Sequence, residues 1–408
     1  MAQHYVGSNN LPLLAAAGQF GTRLQGGEDA ASPRYIFTHL TKVARLLIPE
    51  SDDALLEQQE EDGVSIEPLR FVPILPLVLI NGAEGIGTGW ATSIPQFNPL
   101  DVVDHVVAAV TASPPPPPLF PWYAGFRGTI ESDPAQSGAT THGVVEVVSE
   151  GKVQDNQRWG LVVRVTELPI GRWTNDFKDL LIKLSEASRM DGECSVASFS
   201  LNHTESTVDC RVELTSEGAR LVGKDEGGDK APGLPTAEAL RKLLKLSTKL
   251  SMGNMMAFNS KGSIQRYSRA EEIVADFVGV RRDLYQRRKA REEELLRLES
   301  TKLENQIRFL EMVGQGTLKV GGKSKPDLES ELGSLKFATG DALRYRPPLT
   351  ETAAAPSGMP EGQDEAAEEE GGGTGAESAS QGQYGYLLSM PIWSATQERC
   401  AKLRGMNV

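Results

Sequence analysis

Apolar residues recur along the chain with different rhythms, and each rhythm predicts a different element. From Ser268 to about Val313 the spacing is helical: Ile273, Phe277, Val280 and Leu284 follow a 4-3-4 pattern, and Leu296, Leu303, Ile307 and Leu310 resume it at 7-4-3. A helix of roughly 45 residues is about 68 Å long. No single globular core buries that length, so the spacing predicts an arm or a coiled coil. Between residues 127 and 215 the runs "GVVEVVSE", "GLVVRVTELP" and "VDCRVELT" alternate like strands, with a helix from Asn175 to Ala187, which predicts an α+β domain.

Shorter patterns fill the rest. "SPRYIFTHLTKVARLLIPE" predicts an amphipathic helix opened by Pro33 and Tyr35, with Ile36, Leu40, Val43 and Leu47 on one face. Leu77 to Ile80 reads as a buried strand. "NPLDVVDHVVAAV" reads as a helix capped by Asn98 or Asp101. Pro114 to Pro118 form a stiff spacer. In "AEALRKLLKLSTKLS", Lys245 and Lys249 stand four apart with Lys242 nearby, a basic helical face. "GNMMAFNSKGSIQRY" reads as a strand and turn, "KPDLESELGSLKFA" as a small helical piece, and "YLLSMPIWSATQERCAKLRGMNV" as the start of another helix.

Composition narrows this picture. The chain is 39% hydrophobic and 24% charged, as ordinary globular domains are. No apolar run reaches the roughly 18 residues that span a bilayer, and "MAQHYVGSNN" lacks the pattern of a secretory signal. Cys194, Cys210 and Cys400 are scattered, without metal-ligand spacing, which fits a reducing compartment. The net charge of −13 argues at first against a nucleic-acid partner. The acids are concentrated, however: seven lie between Ser51 and Pro68 and eight between Glu351 and Tyr384, both stretches without a base. Setting these fifteen aside moves the balance to +2, so the remainder can present a basic face. The second stretch, 351–384, is also low in complexity and is expected to be disordered.

The densest local signal is "PLVLINGAEGIGTGW", four glycines within eight residues. A dinucleotide loop needs G-x-G-x-x-G opening a helix. Here the spacing is G-x-x-G-x-G-x-G, Pro95 and Pro99 follow, and no Lys-Ser or Lys-Thr pair follows as in a P-loop. The bland alternative is a tight turn that needs positive φ. Ile86, bulky and β-branched between glycines, adds a third reading: an apolar wedge presented to a partner.

"GSNNLPLL", "GQFGTRLQGGEDAASPRYIFT", "PLVLINGAEGIGTGWATSIPQFNP", "FRGTI", "ELPIGRWT" and "YLLSMPIW" occur in this order, and together they resemble the breakage-reunion region of eukaryotic-type DNA topoisomerase II. The resemblance covers about residues 1–348 and 384–408 and is densest at 18–38 and 76–99. It implies an α+β multidomain fold: a partial winged-helix domain over 1–75, a tower domain over 76–265, a long coiled-coil arm over 266–316, a helical piece of a dimer gate over 317–350, and the start of a return arm over 385–408.

The resemblance also implies roles. Tyr35 is the nucleophile that attacks the DNA backbone, and Arg34 stabilises the transition state. Ile86 inserts between base pairs and bends the DNA. "KLSTKLSMGN" (Lys245, Leu246, Ser247, Thr248, Lys249, Leu250, Ser251, Met252, Gly253 and Asn254) contacts DNA. Read alone, Tyr35 is an ordinary half-buried aromatic and Arg34 a solvated arginine; the motif around them changes that reading. The implied activity is an ATP-dependent isomerase that makes a transient double-strand break for passage of a second duplex. Its partners are double-stranded DNA and a second copy, its location the nucleus, and its cofactors Mg²⁺ and ATP, both bound outside this chain.

The chemistry suits these residues. An ordinary tyrosine, with a pKa of about 10, is protonated at neutral pH, so a nucleophilic one needs a neighbour to offset its proton. An arginine supplies a planar fork of donors for phosphate oxygens. Pro33 stiffens the presentation point, and Arg23, in the glycine-rich approach, is read as either a phosphate contact or a surface residue. Arg281 to Arg291, beside Glu292 to Glu294, reads as intrahelical ion pairs. No D-x-D cluster is found; Asp52 and Asp53 are adjacent, in a polar loop. The chain is therefore expected to be a fragment, inactive alone, with a non-catalytic DNA-bending or dimerisation module as the alternative.

Overall fold

The computed structural model describes residues 1–132, 138–152, 159–186, 195–222, 236–345, 383–390 and 405. They fall into two compact units, Met1–Leu284 and Tyr285–Val408. The acidic stretch expected to be disordered lies outside the described residues but for its last two positions, and so does the return arm beyond Trp393 apart from Gly405.

In the first unit the helix predicted after Pro33 is broken into pieces. Pro33–Tyr35 is a single 3₁₀ turn. The next residues are extended, because their amides pair with the N-terminal segment: Phe37 and Ala17 exchange both backbone bonds, and Leu40 bridges Leu14. Only then does α1 (Lys42–Leu47) begin, with Thr41 as its cap accepting from the Ala44 amide. Of the predicted apolar face, Leu47 is buried, whereas Leu40 and Val43 are exposed. The acidic stretch after it is a 3₁₀ segment, Glu50–Leu55, followed by the hairpin β1 (Gln58–Glu61) and β2 (Val64–Pro68), where a loop was expected.

Leu77–Ile80 is also not a strand. It forms one helical turn, α2, bounded by Pro76 and Asn81, with Leu79 and Ile80 fully buried. A short apolar run buries itself equally well either way, so periodicity alone does not separate the two. The glycine stretch then forms a hairpin of β3 (Ala83–Gly87) and β4 (Trp90–Ile94). Helix α3 (Pro99–Thr111) starts at Asn98, whose side chain accepts the Leu100 amide, and ends at Ala112 in the left-handed region.

The α+β expectation holds in the middle of the chain. Strands β5 (Thr129–Ser132), β6 (Gly138–His142), β7 (Val144–Lys152) and β8 (Trp159–Glu167) precede helix α4 (Thr174–Glu186). They are followed by β9 (Val196–Leu201), β10 (Cys210–Leu214), α5 (Ser216–Val222) and α6 (Ala237–Leu243). The four-stranded antiparallel sheet runs β7-β8-β10-β9. Its inward valines, Val163, Val165 and Val212, pack with Phe177 and Leu181 of α4, all inaccessible to solvent. Burial alternates along β10 as a half-buried strand requires.

Helix α6 stops at Leu243, and β11 (Ser247–Ser251) pairs with β6 from Ser247 opposite His142 to Ser251 opposite Gly138. Lys242, Lys245 and Lys249 therefore share no helical face: the strand partner satisfies the backbone over the stretch where a helix was expected. Strands β12 (Met255–Phe258) and β13 (Ile264–Tyr267) form a further hairpin where one strand and a turn were expected. A second core gathers Leu79, Ile80, Ile94, Phe97, Val102, Met255 and Tyr267 with Ile273, Val274 and Val278 of the long helix α7 (Ala270–Gly314, 45 residues).

Arg281 departs from the intrahelical pairing predicted for it. Its guanidinium is buried and bonds Asp52 at 2.7 Å and the Val72 carbonyl at 3.2 Å, so Asp52 is a buried ion-pair partner and not a loop acid. The pairing does hold further along, in the second unit: Arg288–Glu292 and Lys289–Glu293 face one another four residues apart. There Leu296 is exposed. The apolar contacts of this unit are instead made by Phe309 and Leu310, which pack with Leu318, Leu332 of α8 (Lys325–Ser334), Phe337, Tyr384 and Leu387 of α9 (Gly385–Leu388).

Breaking a buried ion pair from one side leaves an uncompensated charge. Arg281→Met is expected to destabilise the first unit by about 3–5 kcal/mol, read from the urea midpoint. Arg281→Met with Asp52→Asn is expected to recover most of that loss; equal midpoints for the parent and the single variant would contradict the assignment.

Candidate functional site

The loop leading to Tyr35 is held by its own backbone and by the sheet. Arg23 is buried and forms an ion pair with Glu167 at the end of β8. Glu167 is satisfied on both oxygens: Oε1 also accepts the Leu168 amide at 2.9 Å and Oε2 the Arg127 amide at 3.2 Å. Arg23 is therefore neither a surface residue nor a phosphate contact, as its motif position had suggested. The neighbouring carbonyls of Arg23 and Leu24 accept the amides of Thr174 and Asn175 at the start of α4. Gly26, at φ +63°, lies against the Trp173 indole, and any side chain there would collide with it. Trp173 in turn meets the Tyr5 ring edge-on at 5.8 Å.

A carboxylate closes the loop. Asp29 accepts the Thr22 amide at 2.8 Å and the Thr22 hydroxyl at 2.5 Å. Partial burial pushes the Asp29 carboxyl up, but these bonds outweigh it and hold it below its ordinary value. The clamp is thus complete above the unfolded carboxylate pKa and is lost as pH falls through the folded one. Burial, and then the Asp29 charge, raise the Tyr5 phenol.

The clamped loop delivers an unburied pair. Ser32 is extended ahead of Pro33, and the Tyr35 amide returns to the Ser32 carbonyl at 2.9 Å, which closes the 3₁₀ turn. Tyr35 is 68% exposed, not the half-buried aromatic that its position alone suggests. The Arg34 guanidinium lies 5.1 Å from the Tyr35 ring centroid, within cation–π range. A cation thus rides beside a phenol that is open to solvent, where it can offset negative charge on an incoming group.

Ile86 is on the β3–β4 hairpin and is 93% exposed. Thr88 and Gly89 form the turn, with Gly89 at φ +77°. Gly85 and Gly87 have no such need: a Cβ on Gly85 would meet nothing within 4 Å, and one on Gly87 only the Trp90 carbonyl at 3.8 Å. Neither is required by contacts inside the protein, and both leave the backbone beside Ile86 bare.

The structure joins this hairpin to the 245–254 segment. The Asn254 side chain donates to the Ala91 carbonyl at 3.0 Å, and the Ser93 amide donates to the Asn254 carbonyl at 2.9 Å. Thr92 and Met256 exchange bonds at 2.7 and 3.2 Å. Arg266 grips the Gly253 carbonyl with two nitrogens. Within the segment, Leu246 is fully buried in the sheet core, and Leu250 and Met252 are half-buried. Thr248 and Gly253 are also half-buried, which leaves Lys245, Ser247, Lys249 and Ser251 as the exposed positions. Ser247 bonds the His142 imidazole at 2.8 Å. Among the described residues no three His, Cys, Asp or Glu side chains converge where they would hold a metal ion.

The motifs name Tyr35, Arg34 and Ile86 as candidates, and the structure adds the residues that hold their loops. Glu167, Trp173 and Asn254 act through partners 144, 147 and 163 residues away (Arg23, Gly26 and Ala91). Two signals were present: "ELPIGRWT", which contains Glu167 and Trp173, and the glycine pair at 26 and 27, a place where backbone must approach something closely.

The family model for the DNA gyrase/topoisomerase IV A-type subunit matches residues 1–407. The chain is 39% identical to "DNA topoisomerase 2, mitochondrial" of Dictyostelium discoideum over 85% of its length and 25% of that protein's. It is 38% identical to "DNA topoisomerase 2" of Arabidopsis thaliana over 99% of its length and 26% of that protein's. It thus spans about a quarter of these curated relatives. Among solved structures it resembles the Plasmodium falciparum topoisomerase II DNA-binding, cleavage and re-ligation domain, with a TM-score of 0.76 and 30% identity, over 100% of this chain and 50% of that one.

Asn254→Ala removes one neutral hydrogen bond, worth about 1 kcal/mol. Hydrogen exchange of the Trp90–Ile94 amides is expected to accelerate by about fivefold, with β7 to β10 unaffected. Unchanged exchange in β4 would show that the hairpin is not held through Asn254.

Proposed function

The chain belongs to the DNA gyrase/topoisomerase IV A-type family, and we propose that it forms the DNA-cleaving and rejoining part of an ATP-dependent type II DNA topoisomerase. The observation that carries this reading is the exposed Tyr35 phenol with the Arg34 guanidinium beside its ring. The Tyr35 oxygen attacks a backbone phosphorus as its proton leaves. The bond from phosphorus to a deoxyribose oxygen breaks, and that oxygen takes a proton. One phosphodiester replaces another, so attack by the freed sugar hydroxyl restores the strand without an outside energy source. Arg34 offers its donors to the non-bridging oxygens as charge builds there. Mg²⁺ and ATP, in this reading, are held by groups other than the described residues.

Ile86 is the wedge. Opening a base step costs a few kcal/mol, offset by the protein contact that a bent duplex gains. Lys245, Ser247, Lys249 and Ser251 take the DNA alongside it. The arm of α7 and the apolar cluster around Phe309 and Leu332 serve a dimer gate with a second copy. The nucleus is the proposed location.

The test is covalent trapping on supercoiled DNA, with Mg²⁺ and ATP, in a chimera carrying this chain in place of the matching span of the Arabidopsis relative. Protein-linked DNA is expected for the parent and none for Tyr35→Phe; adduct that survives Tyr35→Phe would remove the nucleophile assignment. Ile86→Ala is expected to lose bending and to reduce cleavage by about tenfold or more, roughly 1.4 kcal/mol. Unchanged bending would return the hairpin to a purely structural turn. Because Ile86 would bend DNA whether or not Tyr35 reacts, a non-catalytic bending module is the second reading. Bending with no adduct in the active chimera background would favour it.

A further inference from the structure

The turn that clamps the loop before Tyr35 has a second face. Gly171 and Arg172, just ahead of Trp173, line an open cavity of about 320 Å³ together with Asp176, Leu180, Lys183 and Lys245. Asp176, Leu180 and Lys183 are spaced four and three apart and make one stripe along α4. Leu180 packs inward on the sheet core, which fixes that wall. Lys245 joins the lining from the segment between α6 and β11. Its backbone is left-handed, at φ +50°, which is uncommon for a residue with a side chain. Hydrogen bonds of the Lys245 and Leu246 amides to Lys242 and Arg241 hold it there, with Leu246 fully buried.

Three cations from three separate elements thus converge on one concavity. None of them forms an ion pair with a described residue. The one acid in the lining, Asp176, turns an oxygen to the Trp173 amide at 3.4 Å. The cavity wall therefore carries a net excess of two positive charges. Like charges gathered without a partner repel one another, and an anion between them removes that cost. The volume sits at the small end of the range of about 300–1,000 Å³ for ligand sites. Arginine supplies a planar fork for two phosphate oxygens, and the lysines supply point charges.

Location selects the anion. One wall is the turn whose other side grips the loop before Tyr35. The other begins the exposed stretch Lys245, Ser247, Lys249 and Ser251. We propose that Arg172, Lys183 and Lys245 seat a backbone phosphate of the bound duplex, at a point between the nucleophile loop and β11. The seat rests on the duplex-DNA reading above. Arg172 lies in "ELPIGRWT" and Lys183 follows it on α4, neither had a DNA contact assigned from the sequence, and only the fold brings them to Lys245.

The experiment is the salt dependence of duplex binding by the full chain, followed by fluorescence anisotropy with labelled DNA. Each phosphate neutralised contributes about 0.9 to the slope of log affinity against log salt. Arg172→Gln with Lys183→Gln is expected to reduce the magnitude of that slope by about one. Lys178→Gln, an exposed lysine on α4 outside the cavity, is expected to leave it unchanged. Arg172→Lys with Lys183→Arg keeps both charges and is expected to keep the slope. A parent-like slope in the double glutamine variant overturns the proposal, as does an equal fall in Lys178→Gln or a fall in the charge-preserving pair. If the parent chain fails to bind duplex at all, the DNA reading falls first and the phosphate seat falls with it.

Discussion

The buried ion pair of Arg23 and Glu167 is the constraint on which the candidate site depends. Both side chains are almost wholly removed from water, 5% and 3% exposed. Such a pair is tolerated only where every remaining oxygen finds a donor, and the Leu168 and Arg127 amides provide them. Glu167 closes β8, whose register is set by Val163 and Val165 in the sheet core. The loop that leads to Tyr35 therefore takes its position from a packed sheet and not from its own glycine-rich sequence.

The same frame continues to the wedge. Val144 pairs with Glu167 across the sheet, and the Gly143 amide beside it donates to the Leu246 carbonyl. From Leu246 the chain runs through β11 to Asn254, which holds β4 by side chain and backbone. A continuous path of main chain and hydrogen bonds thus connects Arg23 to Ile86. In the proposed function a nucleophile and a DNA-bending side chain act on one duplex in fixed register, and the three sheets that this path links supply that without direct contact between them. The buried Asp52–Arg281 pair plays a comparable part at the start of α7. Two acids that add to the chain's negative charge are thus used inside the protein, one in each pair.

Much of this fold was legible because its signals were long or local. The 45-residue helix, the alternating strands and the Asn98 cap each depend on residues within a few positions of one another. The errors fell where a distant partner overrode local preference. Residues 36–40 look helical, but they pair with 14–17. Lys245 to Lys249 look helical, but β6 takes the backbone from Ser247 onward. Leu77–Ile80 is a different case, a short apolar run that reads as a strand but that its neighbours Pro76 and Asn81 bound as one turn of helix. In the site, Glu167 and Trp173 lie in "ELPIGRWT" and Asn254 in "KLSTKLSMGN", but nothing local ties them to Arg23, Gly26 and Ala91, so their supporting roles were not legible. Arg23 shows the limit well: it sits in the motif, yet its role is internal.

In the proposed function the frame presents Tyr35, and no other residue, to the DNA backbone. Nuclease trimming of trapped protein–DNA complex, then proteolysis and mass spectrometry, reads the attachment point directly. A nucleotide remnant on the peptide containing Tyr35 is the predicted result. A remnant on any other residue would contradict that claim.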